Sequence, residues 1–218
     1  MVSLAAPVTV MRDGHAVIAH YGSVATEMGV CAKHAGLVQR PELAALELQA
    51  SDLRLEHLLA TALGSGVPAP HAAVAVGGSW CARPAAERVL LIGPEGSLGR
   101  WRRLVQRSMV SGGRVTCADV SGAHAVSLIG PRAGRVLEDA GVCGALAPGA
   151  TGSGTLAGAR AVVVCEARGR YLLVVEAPAG APAWQALGAA GAPLGLGLVG
   201  HDAYDRLSAA VRPALAAV

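Results

Sequence analysis

The sequence predicts an α+β fold, and two observations carry that prediction. Strand-like and helix-like segments alternate irregularly and include hairpins, which favours α+β over a doubly wound parallel sheet. A strand–turn–helix unit also occurs twice, at residues 37–59 and 118–137. At 218 residues the chain can bury a substantial core, either as one large domain or as two small ones. We predict a single unit of two closely packed halves, at about residues 20–140 and 141–218.

The two copies of the repeat resemble each other element by element. In the first, a strand at residues 44–50 leads to a helix that begins after Ser51. In the second, a strand at residues 123–129 leads to Pro131, predicted at the first helical position, where a missing N–H costs nothing. Aligning the two turns makes Asp119 the counterpart of Gln39.

The remaining elements follow from apolar periodicity and from the usual Ser, Gly and Pro boundary signals. In chain order we predict a helix from Ser23 to Gly36, a loop at 64–70, strands at 72–76 and 88–92 with a turn at 82–86, a helix capped by Ser97 to about 110, a loop at 146–154, a hairpin of strands 161–165 and 171–176, and helices at 182–189 and 202–216.

Composition excludes several classes of protein. Hydrophobic residues make up 53% of the chain and charged residues 15%, which excludes intrinsic disorder. There is no Phe, so the core must be built from Leu, Val and Ala. A net charge of only +3, without basic runs interleaved with aromatics, argues against nucleic-acid binding. Residues 177–200 carry no charge but are rich in Ala, Gly and Pro, so we predict no membrane span there.

Several short motifs do not predict a cofactor or metal site. Five Cys without a C-x-x-C motif indicate reduced thiols in a cytoplasmic protein. Gly195–Gly200 matches G-x-G-x-x-G, but a dinucleotide site requires a βαβ unit with an acid about 20 residues later, and only 18 residues follow Gly200. The seven His form no ligand pair, so no metal site is predicted. Arg100, Arg103 and Arg107 predict a solvated helix face, with an anion-binding or partner surface as the alternative.

Three segments, in order, resemble the glycine-cleavage T-protein (aminomethyltransferase) superfamily. They are Y-G-S-V-A-T-E (21–27) with H-A-G-L-V (34–38), D-V-S (119–121) with L-I-G-P-R-A (128–133), and G-H-D-A-Y-D-R-L (200–207). The resemblance implies a fold like the family's folate-binding domain, without the C-terminal barrel domain. In length and layout the chain is similar to the gamma subunit of heterotetrameric sarcosine oxidase, which assists a flavin-bearing partner.

The departures from the family pattern concern its chemistry. Where active members carry an Asp that helps to activate the one-carbon group, this chain has Gln39, which cannot act as a base. The family's pterin-holding Glu corresponds to Leu172, which accepts no hydrogen bond, and each unpaired pterin group would cost about 1–3 kcal/mol. Tetrahydrofolate is therefore disfavoured and no cofactor is expected. Asp119 is retained, and its simplest role is to hold the local turn.

These observations leave three hypotheses and do not decide whether the protein is an enzyme. The first is a subunit or binding module of a one-carbon or amine-oxidising system, joined to a larger flavin-containing subunit or to a second copy. The second is a repurposed enzyme with another small molecule in the central cavity. The third is a divergent tetrahydrofolate-dependent transferase in which Glu42 substitutes for Gln39. The candidate catalytic residues are Gln39, Glu42 and Asp119, and the candidate binding residues are Tyr21, Trp80, Leu172 and Arg206.

Overall fold

The computed structural model of the protein describes residues 6–64, 66–110, 115–120 and 122–209. Ser121 of the D-V-S motif and residues 210–216 of the last predicted helix, with Ala210, Val211 and Pro213, lie outside these ranges. The helices are α1 Val24–Lys33, α2 Asp52–Leu63, α3 Glu95–Val110, α4 Ala133–Asp139, α5 Gly180–Gly191 and α6 His201–Ala209. The strands are β1 Val8–Arg12, β2 His15–His20, β3 Ala35–Gln39, β4 Ala44–Gln49, β5 Ala72–Val76, β6 Ser79–Ala85, β7 Arg88–Gly93, β8 Thr116–Asp119, β9 His124–Ile129, β10 Thr151–Leu156, β11 Ala159–Ala167, β12 Arg170–Val175 and β13 Leu196–Leu198.

The strands of the described chain form three sheets. A five-stranded sheet has the order β5-β6-β7-β4-β8, and a six-stranded sheet has the order β10-β11-β12-β9-β3-β13. A separate hairpin pairs β1 with β2. Neighbouring strands are antiparallel, except that β13 runs parallel to β3. The α+β prediction is confirmed.

The internal repeat is also confirmed, and its two copies exchange strands. β3 of the first copy pairs with β9 of the second, and β8 of the second pairs with β4 of the first. Gln39 lies opposite Val126, and Asp119 lies opposite Leu46. The offset that places Gln39 on Asp119 also places Leu46 on Val126, so the two pairings are equivalent. Gln39 and Asp119 therefore end corresponding strands of a pseudo-twofold arrangement.

The core has four layers, because each sheet buries one face against helices and the other against the second sheet. One cluster joins the six-stranded sheet to α4 and α5, and another joins the five-stranded sheet to α2 and α3. A third lies between the sheets, where Ala45, Ala82 and Leu90 of one sheet pack on Val162 and Val174 of the other. As predicted from the absence of Phe, these layers are built mainly from Leu, Val and Ala. The predicted division into halves near residue 140 stays a prediction, and the six-stranded sheet takes strands from both sides of it.

Two glycine-containing segments were predicted wrongly, for the same physical reason. The first helix ends at Lys33, and Gly36 lies inside β3. A Cβ at Gly36 would lie 2.5 Å from Cys31 Sγ, so this glycine serves close packing and does not cap a helix. Residues 151–154, predicted as loop, begin strand β10, and a Cβ at Gly154 would overlap the carbonyl oxygen of Val142. Glycine marks close backbone approach at both places.

Smaller differences concern element ends and one hairpin. Strand β6 was not predicted, and it occupies most of the predicted turn at 82–86. The turn itself lies at Ala86 and Glu87. The helix after Pro131 begins at Ala133, and α3 begins at Glu95, ahead of Ser97. The β1–β2 hairpin was not predicted, since its apolar residues are mostly exposed and leave no clear pattern.

Candidate functional site

A cavity of about 700 Å³ opens where the turns of both sheets meet α6. We call it the central cavity. Its volume lies within the range of small-molecule sites. The lining consists of Arg40 and Leu43 after β3, residues 75–80 of the β5–β6 hairpin, Ile92 and Gly93 of β7, Glu166, Ala167, Arg170 and Leu172 of the β11–β12 hairpin, and Tyr204, Asp205, Ser208 and Ala209 of α6.

Arg40 forms one positive wall of the central cavity. Its Nε donates to Glu42 Oε1 at 2.5 Å, and a terminal nitrogen donates to Ser127 Oγ at 3.1 Å. The guanidinium carbon lies 4.4 Å from the centre of the Tyr204 ring, within cation–π range. Burial alone lowers the pKa of Arg40, but Tyr204 and Glu42 outweigh burial and raise the pKa above its ordinary value. Arg40 is thus a charged and preoriented group.

Arg170 is the second arginine of the lining, and its guanidinium carbon lies 5.5 Å from the centre of the same Tyr204 ring. One terminal nitrogen donates to Ser208 Oγ at 2.9 Å and lies 3.4 Å from the Tyr204 hydroxyl and 3.5 Å from Glu166 Oε2. Glu166 Oε1 accepts a hydrogen bond from Trp80 Nε1 at 2.8 Å. The cavity lining therefore presents two arginines, the two carboxylates of Glu166 and Asp205, and two aromatic rings. Such a set can bind a planar molecule that carries oxygen acceptors.

Behind Arg40 lies a buried network around His201. His201 Nε2 lies 2.9 Å from the carbonyl oxygen of Gln39, so this nitrogen carries the proton and donates. His201 Nδ1 then accepts from a terminal nitrogen of Arg12 at 3.2 Å. Glu42 Oε2 lies 3.7 Å from His201 Nε2 and has no hydrogen-bond partner among the described residues. This geometry holds His201 neutral.

The network predicts a pH dependence of stability. Burial lowers the pKa of His201 from its ordinary 6.5, against the opposing effect of Glu42. As the pH falls through 6.5, the His201 side chain of the unfolded chain takes up a proton, whereas that of the folded chain stays neutral. The contribution of neutral His201 to the free energy of unfolding is therefore fully present above pH 6.5 and is lost as the pH falls below it. We expect His201→Gln to lose less stability than the parent protein between pH 7.5 and 5.5, measured by urea unfolding. Equal losses would contradict this assignment.

Glu27 joins two of the motif segments on which the family resemblance rests. Its Oε1 accepts from the Tyr21 backbone N–H at 2.6 Å, and its Oε2 accepts from the Gly200 N–H at 2.8 Å. Ser23 caps α1 as predicted, its Oγ accepting from the Thr26 N–H at 3.3 Å. The buried carboxylate of Glu27 thereby fixes the start of α6, which carries Tyr204 into the cavity.

Two of the seven predicted site residues, Trp80 and Leu172, line the central cavity. Glu42 is buried one layer behind, against Arg40. Gln39 is exposed at the end of β3, and Tyr21 and Arg206 also lie outside the lining. The roles assigned to these residues stay predictions, but the structure does not bring the seven together in one site.

Asp119 occupies a separate surface position. Its side chain is 58% exposed, and its carboxylate is bound by Arg102, which also contacts Glu95. Asp119 ends β8 in the five-stranded sheet, whereas its counterpart Gln39 ends β3 in the six-stranded sheet. The pseudo-twofold relation therefore places the two residues on different surfaces, and neither lines the central cavity.

Sequence reasoning missed Arg40, Glu166, Arg170 and Tyr204 as site residues. Arg40 follows Gln39 directly, and the alternation of β12 that exposes Leu172 to the cavity also exposes Arg170. Strand β11, which pairs with β12, contributes the Glu166 carboxylate to the lining, whereas Leu172 has no hydrogen-bonding group. Alternation along the predicted hairpin was the available signal for Arg170.

Within the described ranges we find neither a metal-ligand cluster nor a disulfide. Its His, Cys, Asp and Glu residues form no group of three or more suited to a metal ion. All five cysteines, each within the described ranges, are free, and burial raises the pKa of Cys31 and Cys81 to about 12. Such thiols are poor nucleophiles. No helix in the described ranges is long and apolar enough to cross a membrane.

Comparison with solved structures identifies the fold. The chain superposes on the glycine cleavage system aminomethyltransferase T from Bartonella henselae with a TM-score of 0.70 and 19% identity, covering 91% of this chain and 57% of that one. It superposes on a chain of heterotetrameric sarcosine oxidase from Corynebacterium sp. U-96, solved with pyrrole 2-carboxylate, with a TM-score of 0.61 and 18% identity, covering 79% and 92%. No family model and no curated protein matches the sequence. The predicted fold is confirmed, and the chain spans 57% of the aminomethyltransferase's length.

Proposed function

We propose that this protein, which has the fold of aminomethyltransferase T and of a sarcosine oxidase chain, is a binding module that holds a small molecule in the central cavity without folate-dependent transfer. The observation that carries the proposal is the cavity of about 700 Å³, in which the guanidinium carbons of Arg40 and Arg170 lie 4.4 and 5.5 Å from the centre of the Tyr204 ring. Both guanidinium groups are held by neighbouring side chains, so little side-chain entropy is lost when a ligand binds.

The carboxylates in and behind the cavity all have partners within the protein. Acid–base work on a one-carbon group requires a proton-transferring side chain within reach of the reacting atoms, and the family resemblance implies a carboxylate for that role. Gln39 is neutral and exposed, and Glu42 is engaged by Arg40. The two carboxylates of the lining are also engaged, Glu166 by Trp80 and Asp205 by Arg12. These partners support ligand binding over catalysis.

The proposal predicts that Arg170 is needed for ligand retention. We expect native mass spectrometry of the purified protein to show a bound small molecule that is lost in Arg170→Gln, because the variant removes a positive wall of the cavity. Arg168→Gln is the matched control, since Arg168 lies in the turn of the same hairpin and outside the lining. We also expect calorimetry to show no binding of tetrahydrofolate at micromolar concentration. Micromolar tetrahydrofolate binding, or equal retention by both variants, would contradict the proposal.

A subunit role is the second candidate, favoured by the coverage of 92% of the sarcosine oxidase chain. Under it, the protein joins a larger flavin-containing partner in a one-carbon or amine-oxidising system. Val8, Val10 and Met11 of β1 are exposed and supply apolar surface for such a contact. Light scattering of the protein, alone and co-expressed with a neighbouring flavoprotein, tests this role, and a monomer in both samples would contradict it.

A further inference from the structure

A second cavity of about 260 Å³ lies beside the central cavity, with Val76 and Gly77 forming a wall common to both. We call it the α3 cavity, because most of its lining comes from that helix. The lining consists of Thr61 and Ala62 of α2, Val76 and Gly77 of the β5–β6 hairpin, and Gly96, Ser97, Arg100, Trp101, Leu104 and Arg107 of α3. The proposed central-cavity function does not use this site.

The lining of the α3 cavity carries positive charge without compensation. Arg100 and Arg107 both line it, and neither forms a salt bridge with a carboxylate of the described residues. Arg102, on the same helix, is instead held by Glu95 and Asp119. The lining of the α3 cavity contains no acidic residue. Two unneutralised guanidinium groups on one cavity create a site that attracts an anion.

The other lining groups define what the anion must carry. Trp101, Leu104, Val76 and Ala62 supply apolar surface to the same lining. Ser97, in the first turn of α3, already donates its hydroxyl to the carbonyl oxygen of Gly77 at 3.4 Å, so the two arginines supply the polar contacts for a ligand. A bare inorganic ion would leave the apolar surface uncovered, whereas an anion on a small apolar body would use both parts of the lining.

We propose that the α3 cavity binds a small organic phosphate, with the phosphate between Arg100 and Arg107 and the apolar body against Leu104 and Val76. Guanidinium groups bind phosphate through paired N–H···O hydrogen bonds, and the two arginines match the charge of a dianion. Among the residues that the structure describes, Arg107 engages only its Nε, which donates to the carbonyl oxygen of Arg103 at 3.3 Å. Its terminal nitrogens are therefore available to a ligand.

Calorimetry at low salt with phenyl phosphate, inorganic phosphate and phenol tests the proposal. Phenyl phosphate is expected to bind more tightly than the other two, because it alone contacts both the arginines and the apolar lining. Arg100→Gln and Arg107→Gln are each expected to weaken phenyl phosphate binding about tenfold, from the loss of a charge-assisted hydrogen bond. Arg103→Gln is the matched control, since Arg103 is exposed on the same helix but does not line the cavity.

The variants distinguish phosphate binding in the α3 cavity from binding driven by net charge and from binding in the central cavity. Equal weakening by Arg103→Gln would overturn the proposal, because binding would then follow net charge alone. Loss of binding in Arg170→Gln would place the phosphate in the central cavity and also overturn it. Inorganic phosphate binding as tightly as phenyl phosphate would overturn the assignment of an organic ligand. Retained binding in Arg170→Gln with loss in Arg100→Gln supports it, whatever the fate of the central-cavity proposal.

Discussion

Replacing Arg83 by methionine is expected to lower the free energy of unfolding by about 3 kcal/mol. Arg83 is fully buried in β6, and its guanidinium donates to the carbonyl oxygens of Pro68 at 3.1 Å and of Ala86 at 3.0 Å. It also binds the carboxylate of Asp52 and lies 3.7 Å from that of Glu56. The Arg83 side chain thus connects the start of α2 to the loop at Pro68 and to the turn at Ala86. Methionine would fill much of the space but would leave the buried carbonyl group of Pro68 and the partly buried one of Ala86 without this donor.

Arg135→Met is the control for this prediction. Arg135 pairs with Glu138 and Asp139 on α4, but its side chain is 61% exposed. Pairs of this kind contribute about 0–1 kcal/mol, so a small change is expected. Urea unfolding measures both variants against the parent protein. Equal losses of unfolding free energy in the two variants would mean that the buried guanidinium group of Arg83 does not contribute importantly to stability.

The second large effect is expected from Glu27→Gln, at about 2 kcal/mol of unfolding free energy. The Glu27 carboxylate offers one oxygen to each of two backbone donors, the N–H groups of Tyr21 and Gly200. A glutamine has one oxygen, and its amide group would face the other N–H donor without an acceptor. Because Gly200 precedes α6, we also expect the variant to loosen Tyr204 in the central cavity.

Glu138→Gln is the matched control for Glu27→Gln, because Glu138 is more than half exposed on α4. Thermal and urea unfolding of both variants should show a loss only for Glu27→Gln. Tryptophan fluorescence reports the cavity at the same time, since Trp80 lies in its wall. An unchanged stability for Glu27→Gln would mean that the two backbone donors find other acceptors.

Local chemistry and the repeat were predictable from the sequence. The Ser23 cap is a hydrogen bond between near neighbours and needs no tertiary information. The alignment of Gln39 with Asp119 was made on two turns alone, and the strand pairing of the structure has the same offset. Both predictions rest on signals that repeat within a few residues or within one unit.

Glycines were harder to interpret, because their meaning depends on distant neighbours. Gly36 looked like the end of a helix, but Cys31 and Val199 leave no room there for a Cβ. Gly154 looked like loop, but Val142 approaches its backbone in the same way. A sequence shows that a glycine is present, whereas the space around it is decided by elements many residues away.

By itself, the sequence determined the α+β class, the internal repeat and the resemblance to aminomethyltransferases, because these follow from local periodicity and ordered motifs. Only the tertiary structure decided the composition of the central cavity. Arg40, Trp80, Glu166, Arg170 and Tyr204 come from four separate segments, and the strand exchange and the Glu27 tie bring them together. The same packing left Gln39 and Asp119 outside the cavity. Side chains distant in sequence become one site only through the sheet register and helix docking that the whole core imposes.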